Sequence, residues 1–429
     1  MPPSESRNSR PLLLRIDHLG AQGDGVAGTA DGPVYVPFTV PGDMVEVERA
    51  PARRGAASRH ARLLAVRKPG PGRRTPPCPH FGTCGGCALQ HLDAVLYADW
   101  AGMRIRAALG HHGFEDVPLA APFIGRPGTR RRLVMKARRQ GGDVRLGFQA
   151  RRSHRLVDIG ACPVARPALI ALLDPLRGLF AQILPPHGMA EVTLTETAAG
   201  VDCLVAAAVP LDLLRREALS VFAAAYDLAA LHWSERGCPE TVVQRRPPVM
   251  DLDGISVPLP PGAFVQATAA GEAVLRTAVG EWTAGAARVA DLFSGIGTFA
   301  LPLARRAAVL AVEGAKPLLD ALAEGARRAE GLRRVSIEHR DLFRRPLLRD
   351  ELASFDAVVL DPPRAGAMAQ TQALAQSEVP TVIAVSCNPN TFARDARILV
   401  DGGYRLTAVR PVDQFLWSGQ MELAALFRR

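Results

Sequence analysis

The chain is poor in lysine and in aromatic side chains: of 429 residues only Lys68, Lys136 and Lys316 are lysines, and Phe, Trp and Tyr together make up 5%. Long apolar runs are missing as well. Every candidate, including Val201 to Pro210 and Val358 to Leu360, is cut by charge, Pro or Gly well short of the ~20 residues that a bilayer demands. A membrane-spanning helix is thereby excluded. The amino-terminal stretch MPPSESRNSRP has no apolar core of a secretory signal, so a cytoplasmic location is expected. With 48% apolar and 22% charged residues the composition is globular and excludes disorder as the main state. At about 150 residues per domain, the length suggests roughly three domains.

Positive charge is present in excess, 52 Lys+Arg against 42 Asp+Glu, and it is unevenly placed. Residues 49–74 hold nine basic side chains and no acid, and residues 126–155 hold eleven against the single Asp143. The remainder is net acidic. A compositional bias explains Arg in place of Lys but not this clustering, which points to a polyanion-binding surface. Nucleic acid is the expected partner, held by phosphate contacts that weaken steeply with salt.

Residues 11–68 read as short strands between turns: LLLRIDHLG, GVAGTADG, PVYVPFTV, DMVEVERA and ARLLAVRK. That spacing predicts a small β-barrel. Its GDGV stretch and VPFTVPGD turn resemble a TRAM domain, a small RNA-binding barrel. The linker PGPGRRTPP (69–77) follows. From about residue 288, strands alternate with helices: RVADLF, AVLAVE, VSIEHRD, FDAVVLD and TVIAVS, then an antiparallel ending of YRLTAVRPV and MELAALF. Repeated βα units predict a doubly wound α/β sheet that is mostly parallel.

Four of the seven cysteines can be grouped, with Cys78, Cys84 and Cys87 close together and Cys162 distant. Three near thiolates and a fourth suit a four-cysteine metal site, and the spacing admits iron-sulfur or zinc. Cys203 and Cys238 read as small core residues. A second motif, Asp291-Leu-Phe-Ser-Gly-Ile-Gly297-Thr-Phe-Ala300, follows a strand and opens a helix, and Glu313 stands 18 residues after Gly295 at the next strand end. This arrangement binds an adenosine ribose, a feature that NAD and S-adenosylmethionine share. The strands FDAVVL and TVIAVS end in Asp361-Pro-Pro-Arg364 and Cys387-Asn-Pro-Asn390. All these ends share one sheet edge, so Glu313, Asp361 and Cys387 should face one crevice. Hydride transfer has no use for a thiol there, whereas a Cys just before a helix would have its thiolate favoured by the helix dipole, as a nucleophile requires.

Together, Phe264-Val-Gln266, DLFSGIGTF, Glu313, DPPRAG, SCNPNTFARD, FLWSGQME and the upstream cysteines closely resemble the RNA uracil-5-methyltransferase family, over nearly the whole chain. The resemblance implies a Rossmann-like S-adenosylmethionine-dependent methyltransferase domain at 93–124 and 256–429, a TRAM-like OB-type barrel at 10–68, and a central α/β iron-sulfur domain at 78–92 and 125–255. It further implies that Cys387 is the nucleophile and Glu422 the base. Gln266, Phe293, Thr298, Glu313, Asp341 and Asp361 would surround S-adenosylmethionine, and Cys78, Cys84, Cys87 and Cys162 would hold a [4Fe-4S] cluster. RNA is the implied substrate, ribosomal before transfer RNA, because barrel and cluster most resemble members acting on 23S ribosomal RNA. Thr268, Thr298 and Gln420 depart from the family, which often has Asn at the first two positions and His near the third.

Overall fold

Apolar residues alternating between glycine turns form six short strands in the amino-terminal part of the computed structural model, which describes residues 11–49 and 59–429. Arg53, Arg54 and the amino-terminal residues 1–10 lie outside the described residues. Leu12–Arg15, Met44–Arg49 and Ala61–Lys68 make one antiparallel sheet; His18–Leu19, Gly25–Thr29 and Gly32–Val36 make a second. Ile16, Val34, Val36, Val45 and Val47 share one core between them. Gly25 is required there, because a Cβ would sit 2.0 Å from Thr39 Oγ1.

The helix Ala94–Gly110 begins with this part of the chain, and its Trp100 Nε1 donates to the Gly20 carbonyl at 3.2 Å. Residues up to Ala107, with Trp417–Gly419, form one compact unit; Ala108–Leu416 with Gln420–Arg429 form the other.

In the second unit a seven-stranded sheet runs in the order Leu156–Asp158, Asp143–Gln149, Arg132–Gln140, Met189–Thr197, Gly200–Ala207, Ala230–Glu235, Cys238–Gln244. The helices Leu173–Ile183 and Leu213–Ala225 pack on it through Leu176, Phe180, Leu219 and Phe222. Cys203 is fully buried as expected, but Cys238 is exposed, because it opens the edge strand of this sheet instead of a central one.

The site-bearing sheet has eight strands, ordered Val335–His339, Ala308–Glu313, Arg288–Leu292, Ala357–Leu360, Thr381–Ser386, Glu422–Arg428, Arg405–Asp413, Phe123–Ile124. The first five are parallel, and the two carboxyl-terminal strands pair antiparallel as expected. Ala357–Leu360 is apolar throughout because both of its faces are covered. The strand order reverses beside Arg288–Leu292, which opens a crevice at the carboxyl ends of that strand and of Ala357–Leu360. No helix among the described residues is long and apolar enough to cross a membrane.

Candidate active site

Past Leu292 the backbone turns sharply. Phe293, Gly295 and Gly297 take positive φ values of 62°, 57° and 96°. At Gly297 a Cβ would also lie 3.0 Å from Leu301 and Leu322, so only glycine lets the turn sit this close to its helices. Glu313 closes the turn from the adjacent strand end: one carboxylate oxygen accepts the Gly295 N–H at 3.0 Å and the other the Ala315 N–H at 2.9 Å. The Phe293 ring meets that of Phe343 at 5.4 Å. Asp341 is exposed at the same edge and accepts the Phe343 N–H at 3.0 Å, while Thr298 is half-buried in the turn.

A chain of amides and carboxyls, buried except for the half-buried Asp361, crosses the crevice floor. Gln266 donates to Asp361 at 3.2 Å and accepts from Gln414 at 2.7 Å, and the same Gln414 nitrogen donates to Glu422 at 3.0 Å. Arg131 holds the Gln266 carbonyl at 2.9 Å and is paired with the buried Glu272. Thr268 is spent on local structure. Its hydroxyl caps the helix Ala269–Trp282 by accepting the Gly271 N–H at 3.1 Å, so its departure from the family's Asn leaves the crevice floor intact.

Cys387 lies half-buried between the strand Thr381–Ser386 and the helix Pro389–Asp401. The expectation that the helix dipole favours its thiolate is not met. Burial, with Glu422 and Asp361 facing it, pushes the thiol up to about 11, and only Arg364 and a local backbone N–H act in the opposite sense. Desolvation and two carboxyls outweigh one helix end. Arg364 donates to Gln420 at 2.5 Å, and its carbonyl accepts from Asn388 at 3.1 Å, so the Asp361 and Cys387 loops are tied together. Burial also raises both neighbouring carboxyls, Asp361 to about 7 and Glu422 to about 8.

Asp291 adds a further acid. It is fully buried, and burial beside Asp361 and Glu313 holds its pKa well above the usual carboxylate range, opposed only by the backbone N–H of Ala300. Glu313 and Asp361 at the crevice, with Asp291 buried beside them, suit a cofactor that brings positive charge. The dinucleotide alternative fares worse, since a pyrophosphate dianion would face three acids and a helix of only four residues, Ala300–Leu303.

Comparison with known proteins agrees. Residues 259–429 match the family described as tRNA (uracil-5-)-methyltransferase. An RNA methyltransferase of Brucella melitensis is 44% identical over 98% of this chain and 99% of its own. The 23S rRNA (uracil(1939)-C(5))-methyltransferase of Pectobacterium atrosepticum is 33% identical over 98% of this chain and 94% of its own. The crystal structure of a Pyrococcus abyssi tRNA (uracil-54, C5)-methyltransferase with S-adenosyl-L-homocysteine shares the fold, with TM-score 0.75, 22% identity, and coverage of 97% of this chain and 100% of that one. The chain belongs to the S-adenosylmethionine-dependent RNA uracil-5-methyltransferase family.

The methyltransferase's four grouped cysteines are all half-buried. Cys84 accepts the Gly86 N–H at 3.4 Å and lies near enough to Cys78 for their charges to interact. No group of three or more metal-ligating side chains is gathered among the described residues. The cysteine loop is anchored by Cys78 N–H to Gln90 at 3.1 Å and by the Phe81 ring against Phe38 at 5.0 Å.

Gln414 and Phe343 escaped sequence reasoning, and Asp291 was read only as the opening of the glycine motif. For Gln414 the signal was its place directly after a strand end that shares the Cys387 sheet; for Asp291, an acid closing an otherwise apolar strand.

Proposed function

We propose that this methyltransferase transfers a methyl group to C5 of a uridine in RNA, with 23S ribosomal RNA as substrate. The observation carrying the reading is the proximity of Cys387, Asp361 and Glu422 to one another at the carboxyl edge of the sheet that bears the Glu313 turn. S-adenosylmethionine supplies an electrophilic methyl, and Gln266, Phe293, Thr298, Glu313, Asp341 and Asp361 would hold it. Glu313, Asp361 and the buried Asp291 fit a cationic ligand.

Uracil C5 is a weak nucleophile until C6 is attacked. Cys387 sulfur bonds to C6 and loses its proton to an ionised carboxylate, for which Asp361 is the candidate because Glu422 is needed later as a base. The C5=C6 electron pair moves toward O4; C5 would then take the methyl as its bond to the sulfonium sulfur breaks, leaving S-adenosylhomocysteine. C5 now carries both methyl and hydrogen. Glu422 as carboxylate removes that hydrogen as a proton, the C5=C6 bond re-forms, and the C6–S bond breaks to return Cys387. Both ring carbons must be reachable, so the uridine is flipped out or unpaired.

The finer domain assignment is part of this proposal: a TRAM barrel at 10–68, an iron-sulfur domain at 78–92 and 125–255, and the catalytic domain at 93–124 and 256–429. Cys78, Cys84, Cys87 and Cys162 hold a [4Fe-4S] cluster that serves folding and RNA placement, because methyl transfer needs no redox step. Support comes from the half-burial of all four, the N–H bonded to Cys84 sulfur and the Cys78–Cys84 proximity. Iron and sulfide analysis of anaerobically purified protein tests the cluster; zinc in place of iron would reject it.

The function is tested by mapping 5-methyluridine in ribosomal and transfer RNA from cells with and without the gene. Loss of a 23S site is expected. An unchanged map in both RNAs would reject the reading.

A further inference from the structure

The two basic segments have different fates in the fold. In the amino-terminal one, Arg49 pairs with Asp31, Arg62 with Glu48, Arg67 with Glu46 and Arg73 with Asp43. Acids from neighbouring strands neutralise much of what the sequence count left unmatched. In the second segment Arg131 pairs with Glu272, but Lys136, Arg138 and Arg145 stand without an ion pair among the described residues on one face of the seven-stranded sheet. In Arg132–Gln140, the side chains of Leu133, Met135 and Ala137 are buried, while Val134, Lys136 and Arg138 stand exposed on the opposite face.

Register concentrates the charge further. Arg138 lies directly opposite Arg145, and Lys136 opposite Gly147 on one side and Glu191 on the other. Like charges facing each other across a sheet lower stability. Lys136, Arg138, Arg145 and Arg155 form no ion pair among the described residues. They border a groove of about 830 Å³ floored by small side chains such as Ala206 and Ser234, with Glu191 its one acid. No Phe, Tyr or Trp lines it, and His154 is the one aromatic ring on its lining.

We propose that this open sheet face binds the phosphate backbone of the substrate RNA, away from the nucleotide being methylated. The inference rests on the RNA methyltransferase reading and extends it to a defined surface. Repulsion between Arg138 and Arg145 is relieved when phosphates lie between them. The contact is independent of sequence, because cations that meet phosphates dominate the groove.

The test uses the full chain with Lys136→Gln, Arg138→Gln and Arg145→Gln combined, and 23S ribosomal RNA transcribed in vitro. Binding is measured across a salt series, alongside methyl transfer. The slope of log affinity against log salt should become shallower by about 2 to 3, and affinity at moderate salt should fall at least tenfold. KM for RNA should rise in step, with kcat and KM for S-adenosylmethionine unchanged. A control carrying Arg327→Gln, Arg328→Gln and Arg349→Gln removes the same net charge elsewhere and should bind nearly as the unaltered protein does. Should the triple variant not fold, Arg138→Gln alone should reduce the slope by about 1. An unaltered slope in the folded variant, or an equal loss in the control, would overturn the proposal. If the unaltered protein binds this RNA but methylates no uridine in it, the substrate reading fails, while the slopes still decide the surface.

Discussion

Gln414 donates its side-chain N–H to the Glu422 carboxyl at 3.0 Å, and both side chains are buried. That bond favours the ionised carboxylate, whereas burial and Asp361 oppose it. Glu422 must be ionised to remove the C5 proton, so Gln414 is a positioning residue for the base. Replacing Gln414 by Leu should lower kcat by about 10- to 100-fold and move the pH midpoint of activity to higher pH. A pH–rate profile checks it; an unmoved midpoint would show that Gln414 only fills space.

The raised carboxyls set a pH dependence of stability. Unfolded, Asp and Glu lose their protons near pH 4, whereas folded Asp361 and Glu422 keep theirs to about 7 and 8. The folded chain therefore binds more protons between pH 4 and 8, and this pair costs stability progressively as pH rises through that window. A double variant, Asp361→Asn with Glu422→Gln, should melt close to the unaltered protein at pH 5 and about 5 °C above it at pH 8. Parallel melting curves across the range would contradict the assigned burial.

Glu313 spends both carboxylate oxygens on backbone N–H groups that fix the glycine turn. Glu313→Ala should weaken S-adenosylmethionine binding by about 10- to 100-fold through lost turn geometry and lost charge. Titration calorimetry reads this directly, and Glu313→Gln should recover part of the loss. Equal affinity in all three proteins would place the cofactor elsewhere.

Removing the C5 proton is the step assigned to Glu422. Glu422→Gln should still form the covalent RNA adduct but release it at least about 100-fold more slowly. Gel analysis of denatured mixtures would show the trapped species. Normal turnover in this variant would exclude Glu422 as the essential base.

Much of this architecture is legible in the sequence because it depends on local rules. The strands ending at Leu292, Glu313, Leu360 and Ser386 are marked by apolar runs, and their carboxyl ends must share an edge once the βα units repeat. The ionisation of Cys387 was not legible. Its helix is adjacent in sequence, but Glu422 and Asp361 reach it through the sheet and reverse the outcome. Gln414 was hidden for the same reason, since its partners Gln266 and Glu422 lie 148 and 8 residues away. The neutralised arginines of the amino-terminal strands also depended on cross-strand pairing, which a charge count along the chain cannot register.

The central claim is a bond between Cys387 sulfur and uracil C6, and 5-fluorouridine in the substrate RNA tests it most directly. Fluorine at C5 cannot leave as a proton does, so the adduct should persist after methyl transfer. Digestion and mass spectrometry should find the modified nucleotide on the peptide containing Cys387, and Cys387→Ala should give no adduct and no 5-methyluridine while folding normally. An adduct on another residue, or methylation by Cys387→Ala, would contradict the account.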